Sequence, residues 1–275
     1  MKKPLIILTG PTAVGKTKLS ISLAKAVNGA IISADSMQVY RHMDIGSAKI
    51  RPEEMCGVPH YLIDVLDPSE EFHVVKFVEL AHEAMEKIYA AGQIPIVTGG
   101  TGFYIQALLK EVDFTESHGE LPIRKQLEEK AATEEGAAEL YRELSEVDPA
   151  SAETIHPNNV KRVIRALEYY HETGQKISEH NEEQKQKESP YCSAYFVLND
   201  ERSILYDRID RRVDQMICDG LVDEVFRLKE MGYTRDLVSM QGLGYKEILA
   251  YLNGEMSYEE AVYILKRDTR HFAKR

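Results

Sequence analysis

The sequence predicts an α/β fold, a parallel sheet flanked by helices with a small all-helical insertion domain. Three observations carry this. The first is that short apolar runs alternate with helix-periodic stretches over the first 112 residues, and the second that strand signal vanishes from 113 to 190 before a strand returns at Ala194–Leu198. The third is the octet Gly10-Pro11-Thr12-Ala13-Val14-Gly15-Lys16-Thr17. It follows the apolar run Leu5-Ile6-Ile7-Leu8 and precedes a helical stretch, which is the order of a P-loop, so the core is expected to be P-loop NTPase-like.

Taken in order, the further strands are expected at Ala30–Ser33, Tyr61–Val65 and Ile94–Thr98. Between the last two, Val74–Ala90 places Phe77, Ala81, Ala84, Met85 and Ile88 at helical spacing. The insertion, 113–190, is read as helices at Leu121–Ala131, Glu134–Glu146 and Asn158–Glu172, closed by a polar linker Gly174–Ser189. After the returning strand come helices at Ile204–Asp219, Leu221–Met231, Gly244–Leu252 and Tyr258–Phe272. The catalytic core is thus assigned to 1–112 and 191–275. The last periodic run reaches Arg275 without a capping residue, so the native chain is expected to continue beyond it.

The P-loop binds phosphate through backbone N–H groups at the positive end of a helix. Lys16 would neutralise an outer phosphate, and the Thr17 hydroxyl is placed to ligate Mg²⁺. A chance match to the pattern is expected in about one chain in a hundred of this length, before a flanking strand and helix are demanded, so a glycine turn with a surface lysine is the weaker account. ATP-hydrolysing relatives of this motif usually hold Mg²⁺ with an Asp ending an apolar strand. Here Ile94-Pro95-Ile96-Val97-Thr98 runs into glycine, and the Ile63-Asp64 step lies within a strand candidate, which weakens an ATPase reading.

Composition narrows the setting. The chain has 275 residues, 43% of them hydrophobic, and a formal net charge of -11. No apolar run approaches the roughly 20 residues of a membrane span, and Met1-Lys2-Lys3 leads into a short strand, so no membrane partner and a cytoplasmic location are expected. Cys56, Cys192 and Cys218 form no CxxC pair and are expected as buried small apolar residues. Base is nevertheless clustered, at Lys161-Arg162-Arg165, at Arg202, Arg208, Arg211 and Arg212, and at Lys266, Arg267, Arg270, Lys274 and Arg275. Local patches set phosphate affinity, so an acidic total does not exclude RNA, although solvated helix faces explain any one cluster equally well.

Two further loops lie at strand ends. Asp35, in Ser33-Ala34-Asp35-Ser36-Met37-Gln38, follows the second strand and could act as a base or metal-side carboxylate in the ligand crevice; alternatively it caps a turn with Gln38. Gly99-Gly100-Thr101-Gly102 follows the fourth strand and brings backbone close to the same edge, or simply enters a helix.

The whole string resembles the tRNA dimethylallyltransferases, also called tRNA isopentenyltransferases. The matching pieces are GPTAVGKT, SADSMQVYRHMDIGSAK, HYLIDVLDP, IVTGGTGFYIQALL, HPNNVKRVIRALE, LYDRIDRRVDQMICDGLVDEV, MQGLGYKEI and TRHFAKR, in order along nearly all of the chain. The resemblance implies transfer of a dimethylallyl group from dimethylallyl diphosphate to N6 of adenosine 37, next to the tRNA anticodon. It implies that Gly10 to Thr17 hold the diphosphate, with Mg²⁺ on Thr17. Asp35, Thr101 and Arg208 are the implied catalytic residues. Contacts to tRNA would come from Asp35, Ser36, Met37, Gln38 and Thr101, and from Arg124, Lys161, Arg162, Val163, Ile164 and Arg165 of the insertion, which would lie against the anticodon stem-loop. The chain lacks the C-terminal CxxC and His pattern of the eukaryotic zinc-finger form, which points to the bacterial type, expected as a monomer. Two other classes stay open on the residues: a small-molecule or nucleotide kinase, which would need ATP, and a P-loop RNA-binding module without catalysis.

Overall fold

The computed structural model describes residues 2–112 and 122–274. The sheet has five parallel strands, β1 (Lys3–Thr9), β2 (Gly29–Ser33), β3 (His60–Tyr61), β4 (Ile94–Gly99) and β5 (Tyr191–Val197), in the order β3-β2-β4-β1-β5. The chain forms α1 (Lys16–Val27) between β1 and β2, α2 (Val74–Ala90) between β3 and β4, and α3 (Gly102–Lys110) after β4. This is the P-loop NTPase-like architecture. Successive strand residues face opposite sides of the sheet. Ile32 and Val97 pack with Phe77, Met85, Tyr104 and Ile105 of α2 and α3. Their neighbours Ile31 and Ile96 pack with Ala24 of α1 on the other face.

The third strand is shorter than its apolar content predicts. Leu62 and Asp64 adopt φ of 63° and 56°, in the left-handed region that ends a ladder, so pairing stops at Tyr61. Conversely, β5 begins three residues before Ala194 because Tyr191, Cys192 and Ser193 pair in register with Lys3, Pro4 and Leu5.

Two compact units make up the chain, Met1–Leu109 with Ser189–Arg275, and Lys110–Glu188. The second holds α4 (Pro122–Lys130), α5 (Glu134–Val147), α6 (Pro149–Thr154), α7 (Val160–Thr173) and α8 (Ile177–Gln186), around Leu127, Leu140, Leu144, Val163, Ile164 and Leu167. The insertion boundary at 113, the expected helix start at Leu121, and the terminal residues Met1 and Arg275 lie outside the described residues. The polar linker expected at Gly174–Ser189 is helical over most of its length, as α8. Asp148 explains it: this buried carboxylate caps α6 through the Ser151 N–H at 3.1 Å and also accepts the N–H and Oγ of Ser178, in the first turn of α8, at 3.0 and 2.6 Å. With Ile177 packed on the same core, two residues anchor a helix whose remaining residues are mostly polar. Composition of the segment could not register a cap supplied from 30 positions away.

In the first unit, α9 (Arg202–Cys218), α10 (Leu221–Glu230), α11 (Tyr245–Leu252) and α12 (Tyr258–Phe272) follow β5. Leu221, Val225, Tyr245, Ile248, Ala261 and Leu265 join the core that lies under the sheet. No helix among the described residues is long and apolar enough to cross a membrane. All three cysteines are exposed, contrary to the expectation of burial: Cys56 sits in a turn, Cys192 on an edge strand and Cys218 at the last position of α9.

Candidate active site

The ends of β1, β2 and β4 deliver three loops to one edge of the first unit. The P-loop turns through Gly10, Ala13 and Gly15 at φ of 145°, 63° and 96°, and Gly15 is the residue from which α1 starts. A Cβ at Gly10 would stand 2.4 Å from the Leu198 carbonyl oxygen, so only glycine lets the loop pass the end of β5. Lys16 Nζ arches back to donate to the Gly10 and Pro11 carbonyls, both at 2.8 Å. Burial pulls its pKa down from 10.5 to about 8, Asp35 opposing and Arg212 adding to the shift.

A cavity of about 630 Å³ opens beside this loop, and Thr12, Asp35, Ser36, Met37 and Thr101 all line it. Asp35 stands two residues past β2. Its Oδ1 accepts the Met37 N–H at 2.9 Å and the Gln38 N–H at 3.4 Å, so it fixes the turn that carries Ser36 and Met37 while also acting electrostatically on Lys16 and Arg212. The capping and the cavity-facing readings of Asp35 are therefore compatible. Gln38 bonds one wall of the cavity, donating to the Ser47 and Ala48 carbonyls at 3.4 Å each. Thr101 precedes α3 and takes the Tyr104 N–H on its carbonyl at 3.0 Å.

Arg208 is not part of this constellation. Its guanidinium pairs with Asp200 at 3.0 Å and is exposed. One helical turn further on, Arg212 lines the cavity and donates from Nη1 to Thr12 Oγ1 at 3.3 Å; burial lowers its pKa and Asp35 opposes that. The sequence held the signal: the apolar stripe Leu205, Ile209, Val213 marks the buried face of α9, and on a helical wheel Arg212 lies about 60° from its centre and Arg208 about 100°. Lys246, Asp268 and His271 also line the cavity. Lys246 lies in the MQGLGYKEI segment and His271 in TRHFAKR, but neither segment had been given a site role.

Among the described residues no group of three or more His, Cys, Asp or Glu side chains is placed to hold a metal. Thr17, in the first turn of α1, is exposed. A single hydroxyl suits Mg²⁺, which keeps most of its waters and takes the rest of its ligands from a substrate's phosphates.

In the insertion, Lys161 and Arg162 are exposed. Val163 and Ile164, however, are buried in the core of that unit, so their side chains are helix-packing groups and not contact groups. Arg124 Nη1 and Arg165 Nη1 both donate to Oε2 of Glu168, at 3.3 and 3.1 Å, and Glu168 is fully buried. One carboxylate thereby sets the direction of two arginines on different helices.

Comparison with known proteins identifies the family. A family model described as IPP transferase matches residues 38–275, and one described as isopentenyl transferase matches residues 3–72. The chain is 67% identical over 273 residues to a tRNA dimethylallyltransferase of Lachnoclostridium phytofermentans, covering 99% of this chain and 87% of the relative. It is 52% identical to the enzyme of the same name from Acetivibrio thermocellus, covering 98% and 86%. Among solved structures, the tRNA isopentenylpyrophosphate transferase of Bacillus halodurans superposes with a TM-score of 0.73 at 46% identity, over 100% of this chain and 85% of that one. A eukaryotic dimethylallyltransferase acting on tRNA superposes with a TM-score of 0.85 at 36% identity, over 99% of this chain and 68% of that one. A P-loop beside a strand-end aspartate, carried on this sheet and matched along almost all of its length, places the chain in the IPP transferase family, the tRNA dimethylallyltransferases.

Proposed function

We infer that the protein transfers a dimethylallyl group from dimethylallyl diphosphate to N6 of adenosine 37 of tRNA, giving N6-dimethylallyladenosine and diphosphate. The observation that carries this is the placing of Asp35 within electrostatic reach of both Lys16 and Arg212, on one cavity with Thr101. An exocyclic adenine amine is a poor nucleophile because its lone pair is delocalised into the ring. Catalysis therefore has to favour departure of the leaving group and position the amine.

The P-loop amides, Lys16 and Arg212 bind the diphosphate and meet the charge that grows on it as the C1–O bond breaks and its electron pair leaves with the diphosphate. The new N6–C1 bond forms, and Asp35 accepts the proton that N6 loses. Thr101 lies beside the reacting centre. Thr17 would hold Mg²⁺ through its hydroxyl, and the ion would supply further positive charge against the leaving group. Because the adenine has to leave its stack to enter a cavity, an unpaired anticodon loop is the preferred target. Ser36, Met37 and Gln38 meet that base, and the insertion binds the anticodon stem-loop through Arg124, Lys161, Arg162 and Arg165. The enzyme works as a monomer on cytoplasmic tRNA.

The test is transfer of label from radiolabelled dimethylallyl diphosphate to unmodified tRNA, with and without ATP. Label entering tRNA without ATP is expected; a strict ATP requirement would instead favour a kinase. Asp35→Ala should lower turnover by about 10²-fold while tRNA affinity changes by no more than about threefold.

A further inference from the structure

Glu224, on α10, is buried at 2% exposure. Such a carboxylate is tolerated when donors fill its oxygens. Here Oε2 accepts the N–H groups of Asp44 at 3.0 Å and Ile45 at 2.8 Å, and Oε1 accepts the Gly46 N–H at 3.1 Å and the Tyr245 hydroxyl at 2.8 Å. The next amide, that of Ser47, donates to the same tyrosine oxygen at 3.2 Å. Four consecutive backbone N–H groups thus converge on one side-chain pair, the device by which backbone concavities hold anions, with the anion supplied by the chain itself. The fit is close: a Cβ on Gly46 would come within 2.6 Å of the Tyr245 ring.

The loop so held forms part of the reaction cavity. Gly46, Ser47 and Ala48 line it alongside Asp35, Ser36 and Met37, and the Ser47 and Ala48 carbonyls receive the Gln38 amide. At its far side Lys49, with a side chain 4% exposed, donates to the Tyr40 carbonyl at 2.6 Å and to Asp44 and Asp64 at 2.6 and 2.5 Å. Residues 44–47 are therefore pinned from α10 and α11, two elements that carry none of the P-loop, and the Gln38 side chain ties the Asp35 turn to that pinned loop.

We propose that Glu224 and Tyr245 are positioning residues for the acceptor-base side of the cavity, fixing the loop that orients Gln38 without touching either substrate themselves. The inference rests on the reading that Asp35 to Gln38 meet the tRNA base. It predicts an asymmetry that a general loss of structure would not produce: use of tRNA suffers, and binding of dimethylallyl diphosphate, which depends on β1 and α1, does not.

The experiment compares wild type, Tyr245→Phe and Glu224→Gln, with both substrates varied and amide hydrogen exchange followed by residue. Tyr245→Phe keeps the ring and removes one oxygen; it should lower kcat/KM for tRNA about tenfold, with KM for dimethylallyl diphosphate within about twofold of wild type. Glu224→Gln turns one acceptor oxygen into a donor facing donors, and should lower kcat/KM for tRNA by about 10²-fold. In both variants the amides of residues 44–47 should exchange faster while those of the sheet keep their protection. Equal losses for both substrates would overturn the proposal, as would an unchanged kcat/KM for tRNA with the loop amides exposed. If Glu224→Gln does not fold, Tyr245→Phe decides by itself. Wild type that transfers no label overturns the functional reading and this one with it, and that result is read before any variant.

Discussion

The P-loop and the loop from Asp44 to Ser47 use backbone in similar ways to opposite ends. The first turns through three left-handed residues beside two cations, Lys16 and Arg212, and opens on the cavity. The second closes its four amides on Glu224 and Tyr245. A concavity of N–H groups attracts an anion wherever it forms. Whether it serves binding or rigidity depends on which side provides the anion. Mutations should therefore separate cleanly, the P-loop governing activity with little effect on stability and the second loop governing stability first.

The largest expected effect breaks or sustains that contrast directly. Lys16→Met should lower kcat/KM for dimethylallyl diphosphate by about 10³-fold, since a charge aimed at the leaving group is lost. Its thermal midpoint should be unchanged or raised, because the amine it removes is charged against the cost of burial. Glu224→Ala should instead lower unfolding free energy by about 3 kcal/mol or more, by leaving buried donors without acceptors. Kinetics and denaturant titration of the two variants side by side check this, and equal stability losses would erase the distinction.

Next in size is the choice between neighbouring arginines. Arg212→Ala should cost about 10²-fold in kcat/KM for dimethylallyl diphosphate. Arg208→Ala, which removes an exposed pair with Asp200, should stay within about threefold. Single-turnover rates that rank the two in reverse would return the leaving-group role to Arg208.

A smaller effect is set by pH. Lys16 holds its proton below about 8 and loses it above, so kcat/KM for dimethylallyl diphosphate should fall as pH rises through about 8. Stability should move the other way. The unfolded lysine titrates at 10.5, so between about 8 and 10.5 the unfolded state binds more protons and Lys16 adds to stability as pH rises. That contribution is fully present above 10.5 and is lost as pH falls through about 8. Parallel profiles of kcat/KM and of unfolding, for wild type and Lys16→Met, check both limbs.

The smallest effect distinguishes two basic helices. On α12, Lys266 pairs with Asp214 at 2.5 Å and Arg270 with Asp210 at 2.6 Å, so much of that charge is already met within the unit. Lys161 and Arg162 on α7 are exposed. Neutralising Lys161 and Arg162 should reduce the log-log salt slope of anticodon stem-loop binding by about 0.7 to 0.9 per lost phosphate contact, and neutralising Lys266 and Arg270 should reduce it less. Titration at several salt concentrations decides it.

Much of the architecture was legible because it rests on local signals. Apolar runs of strand length, helical spacing from Val74 to Ala90 and the glycine pattern at residues 10–15 each report their own neighbourhood. Asp35 and Thr101 could be placed on the cavity edge for the same reason, as residues just past strand ends. What was not legible depends on partners distant in sequence. The run Tyr61–Val65 looks like a strand, yet Leu62 and Asp64 turn left-handed where the Asp64 and Val65 amides bond the Gln38 and Val39 carbonyls. The helix α8 needs Asp148. Val163 and Ile164 sit in a stretch for which the resemblance implied RNA contact, and only packing with Leu140 and Leu144 shows their side chains to be core. Glu224 reads as one more acid on an amphipathic helix until the loop it holds, some 180 residues away, is in view.

The sheet's outer strand has a consequence for handling the 275-residue chain. Among the described residues β5 pairs on one side, with β1, and its sequence YCSAYFV holds no charge and no proline, with Tyr195, Phe196 and Val197 exposed. Edge strands are usually blunted by lysine, proline or a bulge, because an open row of N–H and C=O groups is a template for another extended segment. We therefore expect self-association of this chain to begin along β5 and to grow with concentration. Sedimentation of wild type and Phe196→Lys over a concentration series should show the lysine variant staying smaller, and identical profiles would rule the strand out as the point of contact.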